Sequence, residues 1–304
     1  VDYDAGASIL QVALKMKSTV VIAVMLKTDF WILLLFHLTV SITYRAGYFN
    51  PHDYGIPLQL HHTHITGGLM AFFMVFYNTS VYNRYNQLYE LTKTMNEYCL
   101  YAVSIISREI TDRTLVRKMT RQLLASSFLF FFERTAAEDS HEGDNISDEE
   151  WEQLRALDLL NEYEMELLQE HCKRTGHNGC PSFLLCHWSM KLYRNYRKRI
   201  TELDKVYWNI RRCQDDVVEI MELPMPFQYF HITNLMLALN LTLWAYSLAL
   251  VETYFSSIIY LLVQIIFTGV RELSVALADP YGDDEADFPV NEWMTTLYQR
   301  LYSI

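Results

Sequence analysis

The chain has 304 residues, of which 51% are apolar, 14% aromatic and 20% charged, and its mean hydropathy is near zero. That mixture fits a membrane region joined to a well-solvated part, and the length allows one large domain or two. A net charge of −11 argues against nucleic-acid binding, which wants a basic face, and it leaves pore selectivity open because local groups set that.

Residues 1–27 open with Asp2 and Asp4 and continue as a helical run with Lys15, Lys17 and Lys27. The sequence starts at Val1 with no Met and no cleavable leader pattern, as expected of a piece of a longer protein. Residues 30–44 are apolar without acid or base; they are short for a span and extend back through 20–26. A loop with Gly47 and Pro51 follows. Residues 54–83 contain no Lys, Arg, Asp or Glu, long enough to cross a bilayer as a helix that continues to about residue 107.

Most of the charge lies in 108–222. A helical run over 110–134 carries Arg113, Arg117, Lys118 and Arg121. The acidic stretch 136–150 is a solvated loop. Residues 151–172 read as an amphipathic helix with Ser147 as its N-cap, and 182–223 as one long helix. Beyond Pro224 and Pro226, residues 225–251 and 253–270 are free of Lys, Arg, Asp and Glu. An acidic turn over 278–290 and an amphipathic end to residue 304 complete the chain.

The predicted fold is therefore an all-α, multi-pass membrane protein with four spans and both termini on one side. With 84–222 and both ends cytosolic, only Arg45 of the 25 Lys and Arg lies on the far side, as the positive-inside rule requires. The expected division is an N-terminal cytosolic segment (1–27), spans one and two (28–98), a cytosolic helical region (99–222), spans three and four (223–278), and an acidic motif with the C-terminal segment (279–304). The five cysteines, all outside the apolar runs, suit reduced thiols better than a disulfide framework.

The second span is the most informative. His61, His62 and His64 stand near its start, as a polar mouth or as metal ligands. Gly67 and Gly68 permit close helix approach. Gly68, Phe72 and Phe76 share one face at i, i+4 and i+8, followed by Asn78, Thr79, Ser80 and Asn83. Such a face can line an aqueous path or pack as a bundle core. His171, Cys172, His177, Cys180, Cys186 and His187 match no paired zinc spacing. Asp279, Asp283, Asp284, Glu285 and Asp287 form an oxygen-rich turn that suits calcium or plain solvation, without the EF-hand spacing.

Taken together, these segments resemble the bestrophin family of anion channels. FYNTSVYNRYNQL (76–88) resembles the end of the family's pore-lining second helix, and LPMPFQY (223–229) its T-P-x-P-x-x-Y entry to the third span. SMKL (189–192) resembles part of the cytosolic helices, and GVRELSVALADPYGDDEADF (269–288) the last span with its N-P-F-G-E-D-D-D-D-F motif. The resemblance implies a ring-forming homopentamer in a lipid membrane, with chloride or bicarbonate as permeant anion. Its hydrophobic neck falls on Gly68, Phe72 and Phe76, where Gly68 departs from the usual bulky aliphatic residue. Its cytosolic aperture falls in the helix around 203–210, with Val206 and Tyr207 as candidates. Its calcium clasp maps onto the carboxylates of Asp284 and Asp287, the carbonyls of Ala276 and Asp279, and an N-terminal carbonyl near Asp2. The acidic turn points to the eukaryotic type, and an algal member fused to a rhodopsin-like membrane domain fits the missing start Met. The competing readings are a membrane metalloenzyme using His61, His62 and His64, and a non-conducting regulatory subunit.

Overall fold

The computed structural model describes residues 8, 19–58, 60–139, 146–175, 180–194, 200–223, 225–251, 253, 255–282 and 286–303. Among them the chain forms eleven α-helices and one 3-10 turn, with no strand. In order these are α1 (Val20–Leu26), α2 (Thr28–Arg45), the 3-10 turn (Leu60–Thr63), α3 (His64–Glu109), α4 (Arg113–Asp139) and α5 (Asp148–Ala156). Then follow α6 (Glu162–Thr175), α7 (Pro181–Arg194), α8 (Thr201–Glu222), α9 (Phe227–Ala249), α10 (Phe255–Ala276) and α11 (Val290–Tyr302). The chain divides into two compact units, one of 1–85, 224–279 and 284–286, the other of 86–223, 280–283 and 287–304. α3 passes from the first to the second after Tyr85, earlier than the boundary expected after residue 98.

The first unit is built from α1, α2, the start of α3, α9 and α10. Among the described residues three helices are long and apolar enough to cross a membrane: the one opening at Leu60, α9 and α10. A fourth crossing is available if α1 and α2 count as one, and these meet at a 72° bend. The bend sits at Lys27, whose extended backbone ends α1 while Asp29 favours the start of α2 by its charge near the helix N-terminus. The expected continuous helix is thus broken at Lys27. Met70, Met74, Leu237 and Leu241 form an apolar core, with Leu33, Trp244 and Phe267 packed against it.

Polar side chains lock these helices together. His37 is fully buried; its Nδ1–H donates to the Ala245 carbonyl at 2.8 Å, which fixes the tautomer and leaves Nε2 to accept from the Ser257 hydroxyl at 3.1 Å. Gln264 Nε2 donates to the Phe30 carbonyl at 2.7 Å. Lys27 lies 3.5 Å from Glu272, tying the bend to the end of α10.

The second unit centres on α4. Every residue from 122 to 133 is buried, as expected of a helix apolar around most of its circumference. Its polar exceptions are paired. Glu133 accepts from the backbone N–H and the hydroxyl of Ser182, both at 2.8 Å, at the start of α7. Burial pushes its carboxyl up to about 7. Glu164 accepts from Arg121 at 2.6 Å and from Gln122 at 2.9 Å. None of the five cysteines forms a disulfide.

Two long helices of the sequence reading are interrupted. The run 151–172 divides into α5 and α6 around Asp158, which adopts φ 54°; Asp tolerates this left-handed region better than most residues. Ser147 caps α5 through a full capping box with Glu150. The run 182–223 divides into α7 and α8, with 195–199 outside the described residues.

Candidate functional site: the outward face of α3

The first half of α3 has two unlike faces. Thr63, Gly67, Met70, Met74, Tyr77 and Val81 recur every three or four residues and are buried. Gly67 is the contact point. A Cβ there would stand 2.6 Å from the Trp244 ring of α9, so only glycine lets the two helices come this close. Trp244 Nε1 donates to the Thr63 hydroxyl at 3.0 Å and holds the ring over the glycine. Further along, the Ser274 hydroxyl donates to Asn78 at 3.1 Å, and the Tyr77 ring meets Tyr229 at 5.6 Å.

Gly68, Phe72 and Phe76 lie on the opposite, exposed face. A Cβ on Gly68 would meet nothing within 4 Å. Phe72 and Phe76 are 60% and 59% exposed, their ring centroids 5.7 Å apart, so they form one continuous aromatic strip. Ile65, Leu69 and Val75 flank the strip, and exposed Thr79 and Asn83 continue it in polar form. The two glycines, read alike from sequence, therefore do different things. His61 and His62 stand exposed in the 3-10 turn with ring centroids 3.9 Å apart, and His64 opens α3. Among the described residues no group of three or more His, Cys, Asp or Glu is placed to hold a metal ion.

The aperture candidates require correction. Val206 and Tyr207 are 3% and 1% exposed within the protomer. They belong to the inward stripe of α8 with Leu203, Ile210, Cys213 and Val217. Tyr207 also shares a 2.6 Å hydrogen bond with Ser189. Side chains packed in this way cannot border an opening; the exposed positions of this helix include Lys205, Trp208 and Arg212.

Of the calcium-clasp positions, Asp2 and Asp284 lie outside the described residues. Ala276 is the last residue of α10, and its carbonyl has no i+4 amide partner because residue 280 is proline. That carbonyl and the carboxylates of the turn are the donors a hard cation takes, so the donor chemistry fits calcium. Sequence reasoning missed the aromatic group that holds the following turn. Tyr281 is fully buried and shares a 2.6 Å hydrogen bond with Thr92. Its ring meets Phe288 at 5.3 Å, and Phe288 meets Trp293 at 5.2 Å. The Phe288 N–H closes the turn on the Pro280 carbonyl at 2.9 Å. The signal was present in the aromatic residues that flank the acids.

No curated protein matches the sequence. The fold matches crystal structures of a bacterial bestrophin homolog from Klebsiella pneumoniae. One, phased on zinc, has a TM-score of 0.74 and 17% identity, covering 90% of this chain and 96% of that one. Another, a point variant, has a TM-score of 0.75 and 17% identity, covering 93% of this chain and 97% of that one. Residues 4–302 match the family described as bacterial and fungal bestrophin proteins, a match that assigns no algal subtype. With nearly its whole length matched, the chain belongs to the bestrophin family, whose members are ion channels rather than enzymes.

Proposed function

We propose that the chain assembles into a homopentameric anion channel with a neck at Gly68, Phe72 and Phe76, conducting chloride or bicarbonate. The observation that carries this reading is the exposed, uncharged strip on α3, opposite the face that packs against Trp244. A single protomer offers one such strip, so a closed path needs several copies in a ring with cyclic symmetry. An apolar constriction gates by dewetting, and aromatic edges carry the positive part of the ring quadrupole, which favours anions. Both termini and the helical region 99–222 share the cytosolic side in this scheme.

Reversal potentials of the purified protein in planar bilayers with asymmetric chloride test the reading. A shift toward the chloride equilibrium potential is expected, and silence in every bilayer favours the non-conducting subunit instead. Phe72→Ala and Phe76→Ala should each raise conductance or open fraction, and Gly68→Ile should lower it. Three unchanged currents would place the neck on another face.

Calcium enters the proposal through Asp284 and Asp287, with the carbonyls of Ala276 and Asp279. Neighbouring carboxylates repel by about 1 kcal/mol per close pair even in water, and a bound divalent cation removes that repulsion. Calcium titration of thermal stability should stabilise the wild type and leave the Asp284→Asn/Asp287→Asn double variant unchanged. Equal responses would remove the site.

A further inference from the structure

The second unit contains a cavity of about 630 Å³ whose wall is basic. Arg113, Arg117 and Arg121 climb one face of α4 at i, i+4 and i+8, a rise of about 6 Å per step. Lys118 stands beside them, and Asp158 is the acid on the wall. Arg121 is committed to Glu164. Among the described residues Arg113, Arg117 and Lys118 have no acidic partner within ion-pair distance.

That absence is informative because acids outnumber bases, 36 to 25. Elsewhere in the same unit several arginines find them: Arg108 meets Glu109 and Glu202, Arg155 meets Glu152, Arg174 meets Glu170 and Arg212 meets Asp216, while Arg134 and Arg211 lie over the Phe130 and Phe183 rings instead. The N-terminus of α4 adds little, because Asp112 already accepts from the N–H groups of Thr114 and Leu115. The site consists of side-chain cations on a concave wall. Its floor is apolar, formed by Val103, Val116, Leu124 and Leu301.

We infer that this cavity binds a small organic anion carrying two or more phosphate groups, its phosphates on the Arg113–Arg117–Lys118 ladder and its body on the apolar floor. The volume lies within the usual range for small-molecule sites. Guanidinium forks match phosphate oxygens in pairs, and cations spaced along a helix suit charge spread over adjoining groups better than a single halide. A nucleotide and a phosphorylated lipid headgroup share this chemistry. The inference does not rest on conduction.

The test is calorimetry on the purified full-length oligomer, without magnesium and at fixed ionic strength. The probes are inorganic triphosphate, a nucleoside triphosphate and soluble inositol trisphosphate. Saturable binding of at least one probe with one site per chain is expected, weakening as salt is added. Each arginine removed should lower affinity roughly tenfold or more, since hydrogen bonds to charged groups are the stronger kind. The Arg113→Gln/Arg117→Gln variant should keep the melting temperature of the unliganded wild type, both side chains being exposed. Preference for the nucleoside compound assigns the floor to a base, and preference for inositol trisphosphate assigns the site to a lipid headgroup. No binding by the wild type, equal binding by the variant, or equal stabilisation by potassium chloride at matched ionic strength would overturn the inference. Channel currents of the variant without phosphate separate its failure from failure of the conduction reading.

Discussion

The two halves of α3 keep the same rhythm of buried positions and differ in what they turn outward. In the first half Gly67, Met70, Met74 and Tyr77 are buried while Ile65, Leu69, Phe72 and Val75 are exposed. In the second half Leu88, Thr92, Met95 and Cys99 are buried while Gln87, Glu90, Lys93 and Glu97 are exposed. One helix thus meets two solvents. The apolar exposure of the first unit extends to Ile32, Leu35 and Ile42, each more than 60% exposed. A surface of that kind belongs against lipid or a neighbouring subunit. In the second unit most large apolar side chains are enclosed, and the buried Glu133, Glu164 and Ser126 are paired while the buried Gln214 amide is not.

The comparison is sharpened most by Glu133. Its folded value, about 7, lies above its ordinary 4.5 because burial disfavours the charged form. Between these values the folded chain holds a proton that the unfolded chain releases. Stability from this group is therefore complete below pH 4.5, falls as pH rises to about 7 and is level beyond. The loss is about 3 kcal/mol over that window. Glu133→Gln keeps an acceptor for the Ser182 N–H and has no proton to lose. Melting temperatures from pH 4.5 to 8 should fall for the wild type relative to the variant. Parallel curves would mean that this core is wetter than the structure indicates.

The next effect compares adjacent glycines. Gly67→Ala drives a methyl group into Trp244 and should cost about 2 kcal/mol, the usual range for overpacking. Gly68→Ala meets open space in the protomer and should leave stability unchanged or raise it by up to about 1 kcal/mol, since alanine is the better helix former. Equal losses would erase the distinction between the packed and outward faces of α3. The smallest effect tests the watered half alone. Tyr281→Phe removes the hydroxyl that Thr92 shares, while Thr92 keeps its bond to the Leu88 carbonyl at 2.8 Å. A loss of about 1 kcal/mol is expected by chemical denaturation.

The three long apolar helices were legible because absence of charge over eighteen or more residues is a strong signal, and the Ser147 cap because Ser and Glu stand three apart. The aperture assignment to Val206 and Tyr207 could have been avoided. Leu203, Val206, Tyr207, Ile210, Cys213 and Val217 form a helical apolar stripe, and that pattern is the sign of a packed face. Which glycine meets a tryptophan was not legible, because the partner lies 177 residues further along the chain, from Gly67 to Trp244. The break at Asp158 was also hidden, since neither glycine nor proline marks it.

The pairing of His37 with Ala245 spans 208 residues, and that of Gln264 with Phe30 spans 234. During synthesis the first helices therefore leave the ribosome long before the groups that satisfy them exist. Until α9 and α10 are made, His37 must find water or a chaperone, because a bare polar group in hydrocarbon is costly, whereas the Phe30 carbonyl keeps its own helical bond. Chains that stop short of α9 carry an exposed histidine in the bilayer, a mark by which cellular quality control can distinguish unfinished protomers from finished ones.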